Sequence, residues 1–195
     1  MVTGWRAEGQ TGGRSEGQSV GRSDGQTGGL AAMPTGPEDV LRILESVKDP
    51  EVPVISIVEL GIVRGAEVSG DTVRVDITPT YSGCPAMRTI EEEVVLTLKA
   101  HGFREVTVRT VFQPAWTTDW IGEDARQKLR EYGIAPPGPA ELMVPIQLGR
   151  TMPRQACPFC GSADTATRSE FGSTACKSLH FCNACHQPFE HFKAI

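Results

Sequence analysis

Two cysteine pairs, Cys157-Pro158-Phe159-Cys160 and Cys182-Asn183-Ala184-Cys185, carry the plainest chemistry in this sequence. A two-residue spacer lets the backbone bend into a knuckle that aims both thiolates at one ion. Two knuckles then supply a closed tetrahedral shell of sulfur. Gly161, directly after the first pair, suits the turn such a knuckle needs. Four thiolates serve structural zinc, and they also serve an iron–sulfur cluster, so spacing alone leaves the metal open between Zn and Fe–S. A unit this short cannot bury enough core to fold by itself. Metal binding, worth on the order of 10 kcal/mol in small zinc peptides, is expected to supply the difference. Cys182-Asn183-Ala184-Cys185-His186 also fits a haem-attachment pattern, but that reading leaves Cys157 and Cys160 without a purpose. With four thiolates filling the shell, His180, His186 and His191 are read as packing or solvated residues.

Two further cysteines stand outside the quartet. Cys84 precedes Pro85, a residue suited to a first helical position. The sulfur is therefore expected beside free amides at the positive end of a helix, which favours an anion by roughly 0.3–1 kcal/mol. Against 1.36 kcal/mol per pKa unit, that would lower the thiol and raise its thiolate fraction. The plainer alternative is a buried cysteine that only packs. Cys176 has the same two readings, a small buried hydrophobe or an auxiliary thiol that exchanges ligands during cluster transfer. Glu91, Glu92 and Glu93 read as a solvated helix face.

Local patterns say which elements must hold these groups. Thr35-Gly36-Pro37-Glu38 reads as a capping box opening a helix whose inner face carries Val40, Leu41, Leu44 and Val47. Asp49-Pro50-Glu51-Val52-Pro53 stops that helix. The apolar stretch 54–63 leads into a strand ending near Val68. Ser69-Gly70-Asp71 turns the chain, and Val73, Val75 and Ile77 alternate with polar residues as in a half-buried second strand. Met87, Ile90, Val94 and Leu98 share a helix face, with Gly102 as its cap. Val106, Val108 and Val111 suggest a third strand. A last helix, from about 119 to 132, ends at Gly133 with Arg126, Lys128 and Arg130 toward its negative end. The expected fold class is thus α/β: a small α-β-β-α-β domain with a C-terminal zinc-ribbon-like metal-binding unit.

The chain has 195 residues, 39% of them hydrophobic, and a formal net charge of −5. That charge gives no general attraction to nucleic acid or an anionic membrane. Arg150, Arg154, Arg168, Lys177 and Lys193 are scattered rather than gathered into a basic face. No apolar run is long enough for a membrane helix, and the start carries no secretory pattern. A cytoplasmic protein with reduced cysteines is the expectation. Residues 1–32 repeat Gly-Arg-Ser-acid-Gly-Gln units with few apolar side chains, so this tail is expected to be disordered, with Met33 as the working initiator. The domain reading is tail 1–32, α/β domain 33–133, Pro-rich linker 134–155 and ribbon-like unit 156–195. Paired Glu-x-x-His sites, a phosphate-cradling glycine loop and a flavin or nicotinamide fingerprint are all missing from the sequence.

Asp49-Pro50-Glu51-Val52-Pro53-Val54-Ile55-Ser56-Ile57-Val58-Glu59-Leu60-Gly61-Ile62-Val63, followed by Thr78-Pro79-Thr80-Tyr81-Ser82-Gly83-Cys84-Pro85, resembles the SufT-type iron–sulfur assembly domain over residues 37–112. In that family the cysteine matching Cys84 is the functional thiol of cluster assembly or delivery. Gln113-Pro114-Ala115-Trp116-Thr117-Thr118-Asp119-Trp120-Ile121, the two cysteine pairs and Phe171-Gly172-Ser173-Thr174-Ala175-Cys176-Lys177 resemble the D-subunit family of phenylacetyl-CoA epoxidases. The resemblance implies an accessory or maturation protein of aerobic phenylacetate catabolism, not catalytic alone. It would assist delivery of transient Fe or an Fe–S cluster at Cys84 to the iron–sulfur/flavin reductase, with Cys157, Cys160, Cys182 and Cys185 holding Zn. The alternative is a structural or electron-transfer subunit of the epoxidase complex. Partners are expected among the epoxidase components, with a homodimer open, and nucleic acid and membrane are not expected. Trp116 and Trp120 are read as packing rather than a docking patch.

Overall fold

A computed structural model describes residues 36–138 and 154–194. The tail, Thr35 of the expected capping box, Arg150 and most of the expected linker lie outside the described residues. Helix α1 (Pro37–Leu44) has Gly36 at its N-cap, without a side-chain cap, and buries Val40 and Leu44. Glu38 and Asp39 occupy its first turn, where the helix dipole favours acids.

The segment after α1 is a succession of turns rather than a strand. Asp49 organises the first of them. Its Oδ1 accepts from the amides of Glu51 (2.9 Å) and Val52 (2.8 Å), so the Asp-Pro-Glu run folds on itself. Ser56 and Glu59 form the second through reciprocal bonds, Ser56 N to Glu59 Oε2 at 2.9 Å and Glu59 N to Ser56 Oγ at 3.1 Å. That is capping-box chemistry, legible as Ser-x-x-Glu. Lys128 also donates to Glu59 from a distant helix. Ile55, Ile57, Leu60 and Ile62 are buried by this coil, which explains why the stretch is apolar without being extended.

Strands β1 (Val63–Ser69) and β2 (Thr72–Ile77) make the expected antiparallel hairpin, turning at Gly70 with φ +61°. Helix α2 (Met87–Ala100) then crosses over to β3 (Glu105–Thr110), which pairs parallel to β2. Ile90, Val94 and Leu98 of α2 cover Val73, Val75 and Ile77 of β2, all nearly inaccessible. Apolar stripes at the two periods thus meet as one core. A 3-10 turn (Thr118–Trp120) precedes α3 (Glu123–Tyr132). Gly133 closes α3 in the left-handed region at φ +90°.

The ribbon is a second sheet, formed by β4 (Ile134–Ala135), β5 (Thr165–Ser169), β6 (Lys177–Cys182) and β7 (Pro188–Phe192) in the order β4-β7-β6-β5. Strands β5, β6 and β7 make an antiparallel meander. The fourth strand, β4, follows α3 directly and pairs parallel to β7. The ribbon is therefore built onto the α/β core. Phe192 and Cys176 belong to the same buried cluster as the helices and β2, and the Phe192 ring lies 6.1 Å from that of Trp116.

Trp116 is 5% exposed and donates from Nε1 to the Leu60 carbonyl at 3.0 Å. Trp120 packs beside Gly61, whose φ is +72°, and lies under the Arg64 guanidinium at 3.5 Å. Both tryptophans are packing residues. Among the described residues, no helix is long and apolar enough to cross a membrane.

Candidate metal and thiol sites

The two cysteine knuckles are near copies of one another. In the first, Gly161 N donates to Cys157 O at 2.8 Å and Cys157 N to Ser162 O at 3.0 Å. In the second, His186 N donates to Cys182 O and Cys182 N to Gln187 O, both at 3.0 Å. The residue after each pair has positive φ, +74° at Gly161 and +59° at His186. His186 thus fills a backbone role and is not brought in as a ligand.

The knuckles face each other. Cys157 Sγ lies 3.6 Å from Cys185 Sγ, and Cys160 Sγ 3.6 Å from Cys182 Sγ. All four sulfurs fall within 4.8 Å of one another. Metal–sulfur bonds of about 2.3 Å at tetrahedral angles put sulfurs roughly 3.8 Å apart, so the quartet fits a four-thiolate ion as it stands. Backbone amides of Cys185 and Ala184 bring the Cys182 thiol down to about 7, whereas burial and the neighbouring sulfurs push Cys185 up to about 12. Four crowded sulfurs cannot all ionise without a cation between them, and a metal supplies it. The four predicted ligands are brought together; Cys176 is not among them.

His180 and His191 are buried in the ribbon sheet, linked through Ser178, whose Oγ lies 2.9 Å from His180 Nε2 and 3.4 Å from His191 Nδ1. Burial, with the charges of His180 and Lys193, brings His191 down to about 4, so it is neutral at pH 7. Its Nε2 has no hydrogen-bond partner among the described residues. These histidines pack, as the sequence suggested.

Cys84 lies on the turn ahead of α2, not at the helix start. The helix begins at Met87 with Ala86 as its N-cap, and Pro85 is exposed outside it. Cys84 is half-buried. Its expected acidification is not what the structure shows. Burial raises the thiol first. The Ala86 amide pulls the other way, but Glu51, Asp49 and Cys176 add to the rise. One amide does not outweigh desolvation plus nearby carboxylates.

Those neighbours were not identified from sequence. Glu51, half-buried, is raised by burial and by Asp49, while Lys177 and the Thr174 hydroxyl oppose the rise. Cys176, 6% exposed, is raised chiefly by burial and lies 3.0 Å from Thr174 Oγ1. Lys177 is 3% exposed and pairs with Glu190 at 3.0 Å, and Glu190 also accepts from Ser173 N at 2.7 Å. The signal was present in part: the Asp-Pro-Glu and Thr-Ala-Cys-Lys runs each looked motif-like, but their meeting across more than a hundred residues has no local trace.

Two families of known proteins match separate stretches of the chain. Residues 37–109 match the iron–sulfur cluster assembly protein family, and residues 144–193 match the PaaD zinc beta ribbon domain. An Escherichia coli protein assigned as the D-subunit of 1,2-phenylacetyl-CoA epoxidase is 42% identical over 157 residues, covering 80% of this chain and 92% of that protein. An Fe-S protein maturation auxiliary factor of Porphyromonas gingivalis is 35% identical over 94 residues, covering 47% of this chain and 89% of its own length. A crystal structure of a domain of unknown function from Bacillus anthracis superposes with a TM-score of 0.45 at 27% identity, covering 48% of this chain and 90% of that one. With its iron–sulfur assembly domain, its four-cysteine zinc ribbon and near-complete coverage of the Escherichia coli relative, the chain belongs to the PaaD family of phenylacetyl-CoA epoxidase D-subunits.

Proposed function

We propose that this protein is an accessory factor of a phenylacetyl-CoA epoxidase system, acting in the cytosol, and that Cys84 carries iron or an iron–sulfur cluster as transient cargo for the reductase component. The observation that carries this reading is the setting of Cys84: a half-buried thiol on a turn, raised by burial and by the charges of Glu51 and Asp49. A thiol raised by burial and negative neighbours stays protonated and unreactive when empty. An arriving cation reverses that balance, because the same carboxylates then favour it and the thiolate forms as it binds. Such a site holds cargo on demand rather than permanently. The quartet has the opposite character. Its sulfurs are already assembled, and zinc would fill them and brace the ribbon against the core.

The test is a strain whose only copy is Cys84→Ser, grown on phenylacetate, with the variant protein purified for metal analysis. The expected result is lost growth with one zinc per chain retained, and a reductase isolated without its full cluster content. Normal growth on phenylacetate would show that this thiol is not the working group. The relative's designation as a subunit favours a second reading, a fixed structural or electron-transfer component. Co-purification at constant stoichiometry, unchanged by Cys84→Ser, distinguishes it.

A further inference from the structure

We infer that the free edge of β3, with the outer stripe of α2 beside it, is the docking surface for a second copy of this chain, which pairs antiparallel about Thr107 and joins the two three-stranded sheets into one. Neither β3 nor α2 approaches a ribbon strand, so this surface lies apart from the seam where the ribbon meets the core. It is independent of the role given to Cys84.

The order β1-β2-β3 leaves β3 at the sheet edge. Its side toward β2 is settled, because the two pair in parallel from Thr72–Glu105 to Ile77–Thr110 and Val111 N donates to Ile77 O at 2.8 Å. Alternate residues of a strand turn their amide and carbonyl to the same side. The odd positions from 105 to 111 therefore face β2, and Val106, Val108 and Thr110 face outward. Among the described residues, no backbone hydrogen bond reaches those outward groups. Such a row is a template for another strand.

Charge sets the register. With Thr107 on a two-fold axis, Val106 opposes Val108 of the second copy, and Glu105 opposes Arg109 of the second copy. The valines lie on the α2 side and pack against the core, whereas Glu105, Thr107 and Arg109 are exposed on the other side. Symmetry makes each pair twice. Within its own chain Arg104 goes to Asp71 at 3.3 Å and Arg109 to Asp76 at 2.6 Å, so Glu105 has no ion pair among the described residues. Arg109 holds Asp76 through Nε and Nη2, which leaves Nη1 for a second carboxylate. Moving the axis to Val108 would set Glu105 against Val111 and Arg109 against Thr107, and both ion pairs would be lost.

Helix α2 repeats the pattern. Glu92, Leu96 and Lys99 are all exposed and follow one another along one helix stripe. Leu96, 63% exposed, borders the same hollow as Val95 and Val108, so the stripe stands beside the β3 edge. Antiparallel strand pairing carries the two α2 helices past each other head to tail. Leu96 then meets its own counterpart, and Glu92 faces Lys99 of the second copy. Strand and helix thus ask for the same partner in the same orientation.

The test is sedimentation velocity on full-length, zinc-loaded protein over roughly 1–200 μM, where a monomer–dimer equilibrium is expected. Leu96→Glu and Glu105→Arg, both at exposed positions, should each weaken the dimer at least ~10-fold, since symmetry counts every repulsion twice. Arg109→Glu should do the same alone. Mixed with Glu105→Arg it should restore association, because each 105–109 contact then joins opposite charges again. Should Arg109→Glu fold poorly, Thr107→Cys decides: oxidation with diamide should link the new thiols across the axis, seen by mass spectrometry as a 107–107 peptide pair. A wild type that is monomeric at every concentration overturns the second copy as occupant, even if another chain is found on this edge. A dimer that Leu96→Glu and Glu105→Arg leave unchanged, or one without the 107–107 link, overturns the surface.

Discussion

The four ribbon cysteines and the two cysteines outside them are set by opposite means. In the quartet, each pair is bent by its own backbone, and amides two or three residues away already point at the sulfurs. Cys84 and Cys176 lie on separated segments, one ahead of α2 and one ahead of β6, and burial raises both thiols. Local geometry makes a permanent site, because folding one knuckle assembles half of it. Tertiary burial instead favours the protonated thiol at Cys84 and Cys176.

Ligand removal should separate the two most sharply. Cys157→Ser removes a quartet donor and with it binding energy on the order of 10 kcal/mol, so β5–β7 should lose their order. Trp116 reports on it, since Phe192 leaves its ring; a fluorescence and circular dichroism signal unchanged on chelation would contradict this. Cys176→Ser, by contrast, should cost only about 1 kcal/mol in urea unfolding.

Lys177→Met comes next. Removing the cation leaves Glu190 partly buried and unpaired, at a cost of roughly 3 kcal/mol. A loss no greater than that of an exposed ion pair would show that the seam is not clamped by this bridge.

A smaller effect falls on pH. His191 is held near 4 when folded against an unfolded value of about 6.5, so the unfolded chain binds the extra proton as pH falls. Stability from this group is complete above pH 6.5 and declines toward pH 4, by roughly 1 kcal/mol between pH 7 and 5.5. His191→Phe should flatten that slope in zinc-loaded protein, and an equal slope in both proteins would contradict the assignment.

The smallest change sharpens the role of Asp49. Asn at this position keeps an acceptor for the Glu51 and Val52 amides while removing a charge whose folded pKa is raised by burial. Because the raised carboxyl favours the folded state only below its folded pKa, Asp49→Asn should leave stability at pH 7 equal or slightly higher. Any destabilisation measured by urea would mean the charge itself is needed.

Much of the architecture is readable along the chain. Alternation at Val73, Val75 and Ile77 marks a strand, the Ile90–Val94–Leu98 stripe marks α2, and the paired cysteine spacing names all four quartet ligands. Each signal is local, set by the period of one element. The run 54–63 leads into β1 as read, but its own residues Ile55, Ile57, Leu60 and Ile62 are buried in a coil held by Asp49, Ser56 and Glu59, since burial and extension are separate properties. Pro85 misleads because a proline suited to a helix start can equally sit in the turn before it. Cys176 and Ile134 are illegible for a different reason. Their partners are set by the docking of the ribbon on the core, and nothing in either neighbourhood encodes it.

The strand order β4-β7-β6-β5 also governs timing. The ribosome delivers β4 with the end of α3 and β7 after every other strand, yet β7 lies between β4 and β6. The ribbon sheet must wait for synthesis to pass residue 192, while the α/β core can settle earlier. During that interval Trp116 lacks its aromatic neighbour and the carboxylates near Cys84 lack Lys177. A nascent chain would thus expose Cys84 before the ribbon docks, and a quartet loaded late would be the last step in closing the seam.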